Sequence, residues 1–440
     1  LDRRDFLSRT GVALAGSVLA AGRPDEATSA PAHGAAEARP GDDWERVRAD
    51  FALADDVVHM SAMLLASHPR PVREAIERHR RGLDANPVAY LADNYGRLTE
   101  AARAAAGRYV GVKGDAIALT DSTTMGLGLV YNGLRLRPDQ EILSTEHDFY
   151  VTHASIRLAA ARTGASIRKI ALYDRIADVS GDQIVDRIAR AVGPKTRVLA
   201  LTWVHSSTGL KLPLRRIGGA LAHTNASRPE EDRILFCVDG VHGFGNQDLD
   251  FADLGCDFLI AGCHKWLFGP RGTGIVAGTE AAWRSLLPTI PSFIDGRAWS
   301  AWTGGGGLPE PVTAATMTPG GFKPFEHVWA LPEAFAWQEA IGQSRVRDRT
   351  HALAGQLKDG LAGIRGVRLH TPRAEALSAG IVSFDLDGSS PHDAVKRLRE
   401  RKIVASVAPY ATPHVRLTPS ICNTPAEVDA ALRAVREIAG

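Results

Sequence analysis

Two apolar runs that each end in charged residues constrain this chain more than any other feature. Ile234–Val238 runs into Asp239, and Phe258–Ala261 runs into His264, Lys265 and a Gly/Pro-rich turn that closes at Gly274. Short apolar runs bounded by turns read as buried parallel strands, and open α/β sheets take their ligands beyond the C-terminal ends of such strands. An acid at one strand end and a lysine after the next suit pyridoxal 5'-phosphate (PLP). That cofactor needs a lysine amine for its aldehyde and a carboxylate to keep its ring nitrogen protonated. Lys265 and Asp239 are therefore the expected catalytic residues, and both are expected to hold the cofactor.

A second anchor is IALTDSTTMGLG, residues 117–128. A β-like run turns through Asp121-Ser122-Thr123-Thr124 into an apolar helical stretch. Hydroxyls at a helix N-terminus join free backbone N–H groups and the positive end of the helix dipole, which makes an anion site. Thr123 and Thr124 are the expected phosphate ligands. No GxxxxGK[ST] motif is present, so a nucleotide P-loop is not supported.

The motifs DGVHGFG (239–245) and CHKWLFGPRGTG (263–274) resemble those of fold-type I PLP enzymes in the class V aminotransferase family. That family includes cysteine desulfurases and isopenicillin N epimerase-like proteins, and the likeness covers nearly everything after about residue 44. It implies an α/β fold: a large domain with a mainly parallel seven-stranded sheet, and a smaller α+β domain. It also implies further site residues. Phe149, with His147 as second choice, would stack on the cofactor ring. Ser206 stands where desulfurases present an asparagine, His242 where the family contacts the ring oxygen, and His264 where relatives hold the phosphate. Arg416, in Val415-Arg416-Leu417, matches the arginine that grips the substrate carboxylate, for which a guanidinium supplies a planar fork. The Ser300–Gly307 loop, with Thr303, matches a segment that reaches the neighbouring subunit's phosphate, so a homodimer is expected.

The N-terminus reads DRRDFLS, followed by the apolar run Gly11–Gly22. It resembles a twin-arginine export signal, and the run is too short for a membrane-spanning helix, which needs ~20 residues. Export machinery as a partner, an exported location and no stable membrane anchor follow from that likeness. Because this route carries folded proteins, PLP would be loaded before export. The expected organisation is a signal over 1–30, a linker over 31–42 and an N-terminal segment over 43–70 that joins the small domain. The large PLP-binding domain would span 71–320 and the small C-terminal domain 321–440. Helices are expected at Pro71–Arg81, at Leu98–Gly107 with Gly107 as its cap, and at Asp348–Leu361, with small-domain strands at Ile381–Leu386 and Val404–Ser406.

Composition excludes some classes. With 52 basic and 50 acidic residues the net charge is +2, which gives no case for a nucleic-acid partner. The four cysteines, Cys237, Cys256, Cys263 and Cys422, show no paired spacing, so no disulfide framework and no metal site are indicated. No cysteine lies between Ile403 and His414, where a desulfurase would need its thiolate. The expected activity is transamination of an amino acid or amino-acid-containing metabolite bonded through Lys265. Epimerisation and C–S bond cleavage are the alternatives within the family. A periplasmic binding or sensor protein is the alternative outside enzymes.

Overall fold

The computed structural model describes residues 42–440, so the expected export signal and almost all of the linker lie outside the described residues. The centre is a seven-stranded sheet. In chain order its strands are β2 (Ile117–Thr120), β3 (Glu141–Thr145), β4 (Ser166–Ile170), β5 (Thr196–Thr202), β6 (Leu235–Asp239), β7 (Phe258–Gly262) and β8 (Gly274–Gly278). Their spatial order is β2-β8-β7-β6-β5-β3-β4. β8 is antiparallel to both neighbours and the other pairings are parallel. The expected mixed α/β, mainly parallel seven-stranded sheet is thus observed.

Why these runs form interior strands follows from their burial. Along β6, Phe236 and Val238 join the core on one face while Leu235 and Cys237 join the core on the other. Leu259 and Ala261 of β7 split from Phe258 and Ile260 in the same way. Both faces are covered by helices, so the strands read as continuous apolar runs without alternation. Each fully buried Leu, Ile or Val contributes about 1.5–3 kcal/mol, so truncating one to Ala costs about 2–5 kcal/mol.

A second, four-stranded sheet follows the order β12-β13-β10-β9, built from β9 (Val367–Leu369), β10 (Val382–Leu386), β12 (Ser406–Val407) and β13 (Val415–Leu417). The N-terminal strand β1 (Val58–His59) pairs in parallel with β11 (Ile403–Val404). The expected single strand over Val404–Ser406 is therefore two short ones, β11 pairing with β1 and β12 with β13. The Pro71–Arg81 helix extends over Arg70–Ala85. The helix expected at Leu98–Gly107 runs from Pro87 to Val110. Its C-cap is Gly111 in the left-handed region at φ 81°, not Gly107. Gly107 sits inside the helix, where an added Cβ would lie 2.7 Å from the Val112 carbonyl oxygen, so its glycine serves close packing. No helix among the described residues is long and apolar enough to cross a membrane.

Candidate active site

The parallel strands β2, β3, β5, β6 and β7 end on one edge of the sheet, and the loops after them carry the candidate residues. Asp239 closes β6, in register with Ile260 of β7 and Thr202 of β5. It is 2% exposed, and its Oδ1 accepts the Val241 N–H at 3.2 Å. No hydrogen bond reaches Oδ2 among the described residues, which leaves an acceptor for a ligand N–H. Burial raises the Asp239 pKa, opposed by the Val241 N–H and by Lys265. Burial lowers the Lys265 pKa, opposed by Asp239 and reinforced by Arg416.

The turn that presents Lys265 is tightly tied. Phe268 N–H donates to the Lys265 carbonyl at 3.0 Å, and Gly269 N–H to the Cys263 carbonyl at 2.8 Å. Phe268 has a left-handed φ of 58°, a conformation that costs a non-glycine residue about 1–3 kcal/mol. Its ring offsets this by packing edge-on against Phe51 at 5.1 Å and Trp337 at 5.9 Å. Gly245, at φ 76°, lets the Asp-Gly-x-His segment approach this turn, since a Cβ there would stand 2.4 Å from the Leu267 amide nitrogen. Gln338 joins the two segments, donating to the carbonyls of Gly245 at 3.0 Å and Trp266 at 2.7 Å.

At the phosphate-type turn, Ser122 caps the helix Thr123–Gly133 by accepting the Met125 N–H at 3.1 Å. Thr123 Oγ1 accepts the Gly262 N–H at 2.8 Å, which leaves its own hydroxyl proton free to donate outward. Thr124 is exposed. A Cβ on Gly262 would lie 3.0 Å from Thr123 Oγ1 and 3.1 Å from the His264 ring, so this glycine keeps the cradle open. The His264 Nδ1 is buried without a partner. A cavity of about 660 Å³, lined by Ser122, Thr124, Met125, Arg162 and Ile290 among others, opens beside the turn.

The walls bring together residues from distant parts of the chain. His242 is buried, and its Nδ1 accepts the Trp266 indole N–H at 3.3 Å, which puts its proton on Nε2. His147 stacks on Tyr173 at 4.2 Å, while Phe149 packs against Tyr410 at 5.6 Å. Ser206 Oγ and the Tyr410 hydroxyl share a 2.8 Å hydrogen bond. Arg416 is 1% exposed; it donates to Ser406 Oγ at 3.2 Å, the Ser206 carbonyl at 2.8 Å and the Val407 carbonyl at 3.0 Å. These bonds use three of its five N–H groups and leave one on each terminal nitrogen, the fork a carboxylate takes. Burial lowers its pKa to about 10, opposed by Tyr410.

The aminotransferase class V family matches residues 66–408. The chain belongs to that family. Isopenicillin N epimerase of Streptomyces clavuligerus is 29% identical over 411 residues, which span 90% of this chain and 99% of its own. A probable cysteine desulfurase of Streptomyces coelicolor is 26% identical, covering 88% of this chain and 95% of its own. Among solved structures, the apo cysteine desulfurase of Thermococcus onnurineus NA1 superposes with a TM-score of 0.77 at 20% identity, over 90% of this chain and 98% of that one. The cystine C–S lyase C-DES in complex with cysteine persulfide gives a TM-score of 0.77 at 22% identity, over 87% and 98%. At these identities the structures establish the shared fold.

This class V enzyme is PLP-dependent, and its cluster fits the cofactor on several counts. It offers a lysine and a buried carboxylate beyond neighbouring strand ends, and a glycine-opened cradle at a helix N-terminus. It also offers two imidazoles with unpartnered buried nitrogens, His264 at Nδ1 and His205 at both ring atoms. Sequence reasoning missed His205, Tyr410 and Asp148. Asp148 is 2% exposed and ties the ends of β3 and β5, accepting from Ser144, from Thr145 and from the Thr202 N–H. For His205 and Asp148 the available signal was adjacency to a named candidate, Ser206 and His147 respectively; Tyr410 had none.

The Ser300–Gly307 segment departs from the expected loop, because its first half completes a helix, Gly296–Thr303. Asp295 caps that helix by accepting the Arg297 N–H, and Trp299 and Trp302 meet on one side at 5.2 Å. Thr303 is exposed, and its hydroxyl donates back to the carbonyls of Trp299 and Ser300 at 3.1 Å, so only the glycines form a loop.

Proposed function

We propose that Lys265 holds PLP and takes the Cα proton of an amino acid or amino-acid-containing metabolite, with transamination as the outcome. Half-buried Lys265 and fully buried Asp239, beyond neighbouring strand ends, carry this reading. When bound, PLP supplies the electron sink that makes a Cα proton removable. Asp239 Oδ2 holds the ring nitrogen in its protonated form. The Nε2–H of His242 donates to the ring oxygen, and Thr123, Thr124 and His264 hold the phosphate. Arg416 takes the substrate carboxylate on its two remaining N–H groups and so fixes which Cα bond faces Lys265.

Lys265 is the base that burial tunes toward neutrality, whereas burial keeps His205 and His242 uncharged and weakly basic. A single base returns a proton on the face from which it took it, which favours transfer to the neighbouring carbon over inversion at Cα. A persulfide-forming desulfurase is disfavoured because all four cysteines are buried, which pushes their pKa values up, Cys263 and Cys422 to about 12.

A second reading is epimerisation. It is favoured by relatives named isopenicillin N epimerase and by Tyr410, whose hydroxyl could donate a proton from another side. Incubating holoenzyme with L-amino acids in deuterated water separates the readings. Transamination gives a 2-oxo acid and cofactor converted to its amine form; epimerisation gives the D-isomer deuterated at Cα. Failure of wild type to exchange any Cα proton beyond the Lys265→Ala background would sink both.

We also propose a homodimer in which a second copy covers Phe293, Trp302 and Leu308, which are 61%, 70% and 67% exposed, and brings its Thr303–Gly307 segment to the phosphate cavity. Light scattering that gives a monomer mass for the holoenzyme would contradict this. Export through the twin-arginine route is proposed on Arg3 and Arg4; unchanged periplasmic yield after replacing both with lysine would remove it.

A further inference from the structure

Away from the cofactor site, three side chains from three adjacent strands of the C-terminal sheet converge on one point. His370 directly follows β9, Asp385 lies on β10, and His414 directly precedes β13. The β10–β13 register pairs Phe384 with Val415, so Asp385 faces His414 one step on, and His370 N–H donates to the Ser383 carbonyl at 2.8 Å. His370 Nε2 lies 2.7 Å from Asp385 Oδ2, and His414 Nδ1 lies 3.0 Å from Asp385 Oδ1. The two imidazoles stack at 3.9 Å and 28°. Their candidate ligand atoms all fall within 4.8 Å of one another. Arg368, opposite Asp385 in register, turns outward to Asp387 at 3.8 Å.

We propose that His370, Asp385 and His414 bind a divalent transition cation of the zinc type. Imidazole and carboxylate without thiolate suit borderline cations such as Zn²⁺ and Co²⁺ rather than Mg²⁺ or Ca²⁺. Zinc bonds of ~2.0–2.2 Å in a tetrahedral site put its donors roughly 3.3–3.5 Å apart. The two hydrogen-bonded donor pairs, at 2.7 and 3.0 Å, must part by about 0.3–0.8 Å to reach that spacing, and the remaining donor separations lie below 4.8 Å. The side chains of His370 and His414 are 15% and 11% exposed and that of Asp385 is 31% exposed, so the ion has a route in and water can complete its shell.

The position gives such an ion a consequence. His414 closes the hairpin between β12 and β13, its carbonyl accepting the Ala408 N–H at 2.8 Å. The enclosed loop carries Tyr410, which bonds Ser206, and β13 carries Arg416. A cation on His414 fixes the root of both, so this is a positioning site for the substrate-facing wall and takes no part in bond-making.

The test uses tag-free, PLP-loaded protein stripped with a chelator and then titrated with Zn²⁺ by calorimetry, with thermal unfolding followed in parallel. One saturable site per chain and a raised Tm are expected. His370→Ala and His414→Ala, each verified by circular dichroism and by yellow colour, should lose both effects. Zinc-edge X-ray absorption on the wild type should show a nitrogen and oxygen shell with imidazole scattering, which decides the matter if a variant does not fold. No saturable uptake by wild type, a shell containing sulfur or lacking imidazole, or uptake unaltered in both folded variants would overturn the proposal.

Discussion

The floor of the site and its C-terminal wall are built by opposite means. Asp239 and Lys265 stand at and just beyond the ends of neighbouring interior strands, where register and packing on two faces fix them through the backbone. Arg416 and Tyr410 come from strands of three and two residues and the loop between them, held by side-chain bonds to Ser206, Ser406 and Val407. The floor suits proton transfer, where small displacements cost rate. The wall suits recognition, since Arg416 keeps an N–H on each terminal nitrogen for a carboxylate while its other bonds hold it in place.

Substitutions should separate the two regions kinetically. The largest effect belongs to the floor: Lys265→Ala should reduce kcat by about 10⁴-fold or more, as it removes both the cofactor link and the base. Asp239→Asn should retain the cofactor and lower kcat by about 10²–10³-fold, the scale of one preorganised electrostatic partner. On the wall, Arg416→Lys loses bidentate geometry and about 1.5–3 kcal/mol of charge-assisted bonding. It should raise KM about tenfold to a hundredfold and, because the Cα bond is less well oriented, lower kcat as well, by less than Asp239→Asn does. Tyr410→Phe removes one neutral hydrogen bond, about 0.5–1.5 kcal/mol, and should shift KM only a few-fold. A wall substitution that lowers kcat as strongly as Asp239→Asn would dissolve the distinction.

A pH experiment sharpens the floor alone. Only the unprotonated Lys265 amine can capture PLP, so the rate at which apoenzyme turns yellow should rise with pH. It should level off below the ordinary lysine range, because burial lowers the Lys265 pKa. Asp239 opposes that lowering, so Asp239→Asn should move the midpoint lower still. A midpoint at the ordinary lysine value would contradict the burial argument. Stopped-flow absorbance measures both.

The same contrast decides what could be read from sequence. Apolar runs ending in Asp239 and before Lys265 reveal strand ends because a two-sided sheet forces continuous hydrophobic patterning. The hydroxyl turn at Ser122–Thr124 was legible because capping chemistry is local. Tyr410 was not: it is 204 positions from its partner Ser206, and one sequence carries no signal for such a contact. His370, Asp385 and His414 have no motif spacing either, since only the pairing of β9, β10 and β13 brings them together. The Gly296–Thr303 helix was obscured by the glycine run that follows it, although Asp295 in front supplied a capping signal.

On the proposed function, Lys265 carries the cofactor. Borohydride reduction of the yellow holoenzyme, followed by proteolysis and peptide mass spectrometry, tests it without knowledge of the substrate. A pyridoxyl modification on the peptide containing Lys265, absent from Lys265→Ala, is the predicted result. The modification on another lysine in the wild-type protein would contradict it.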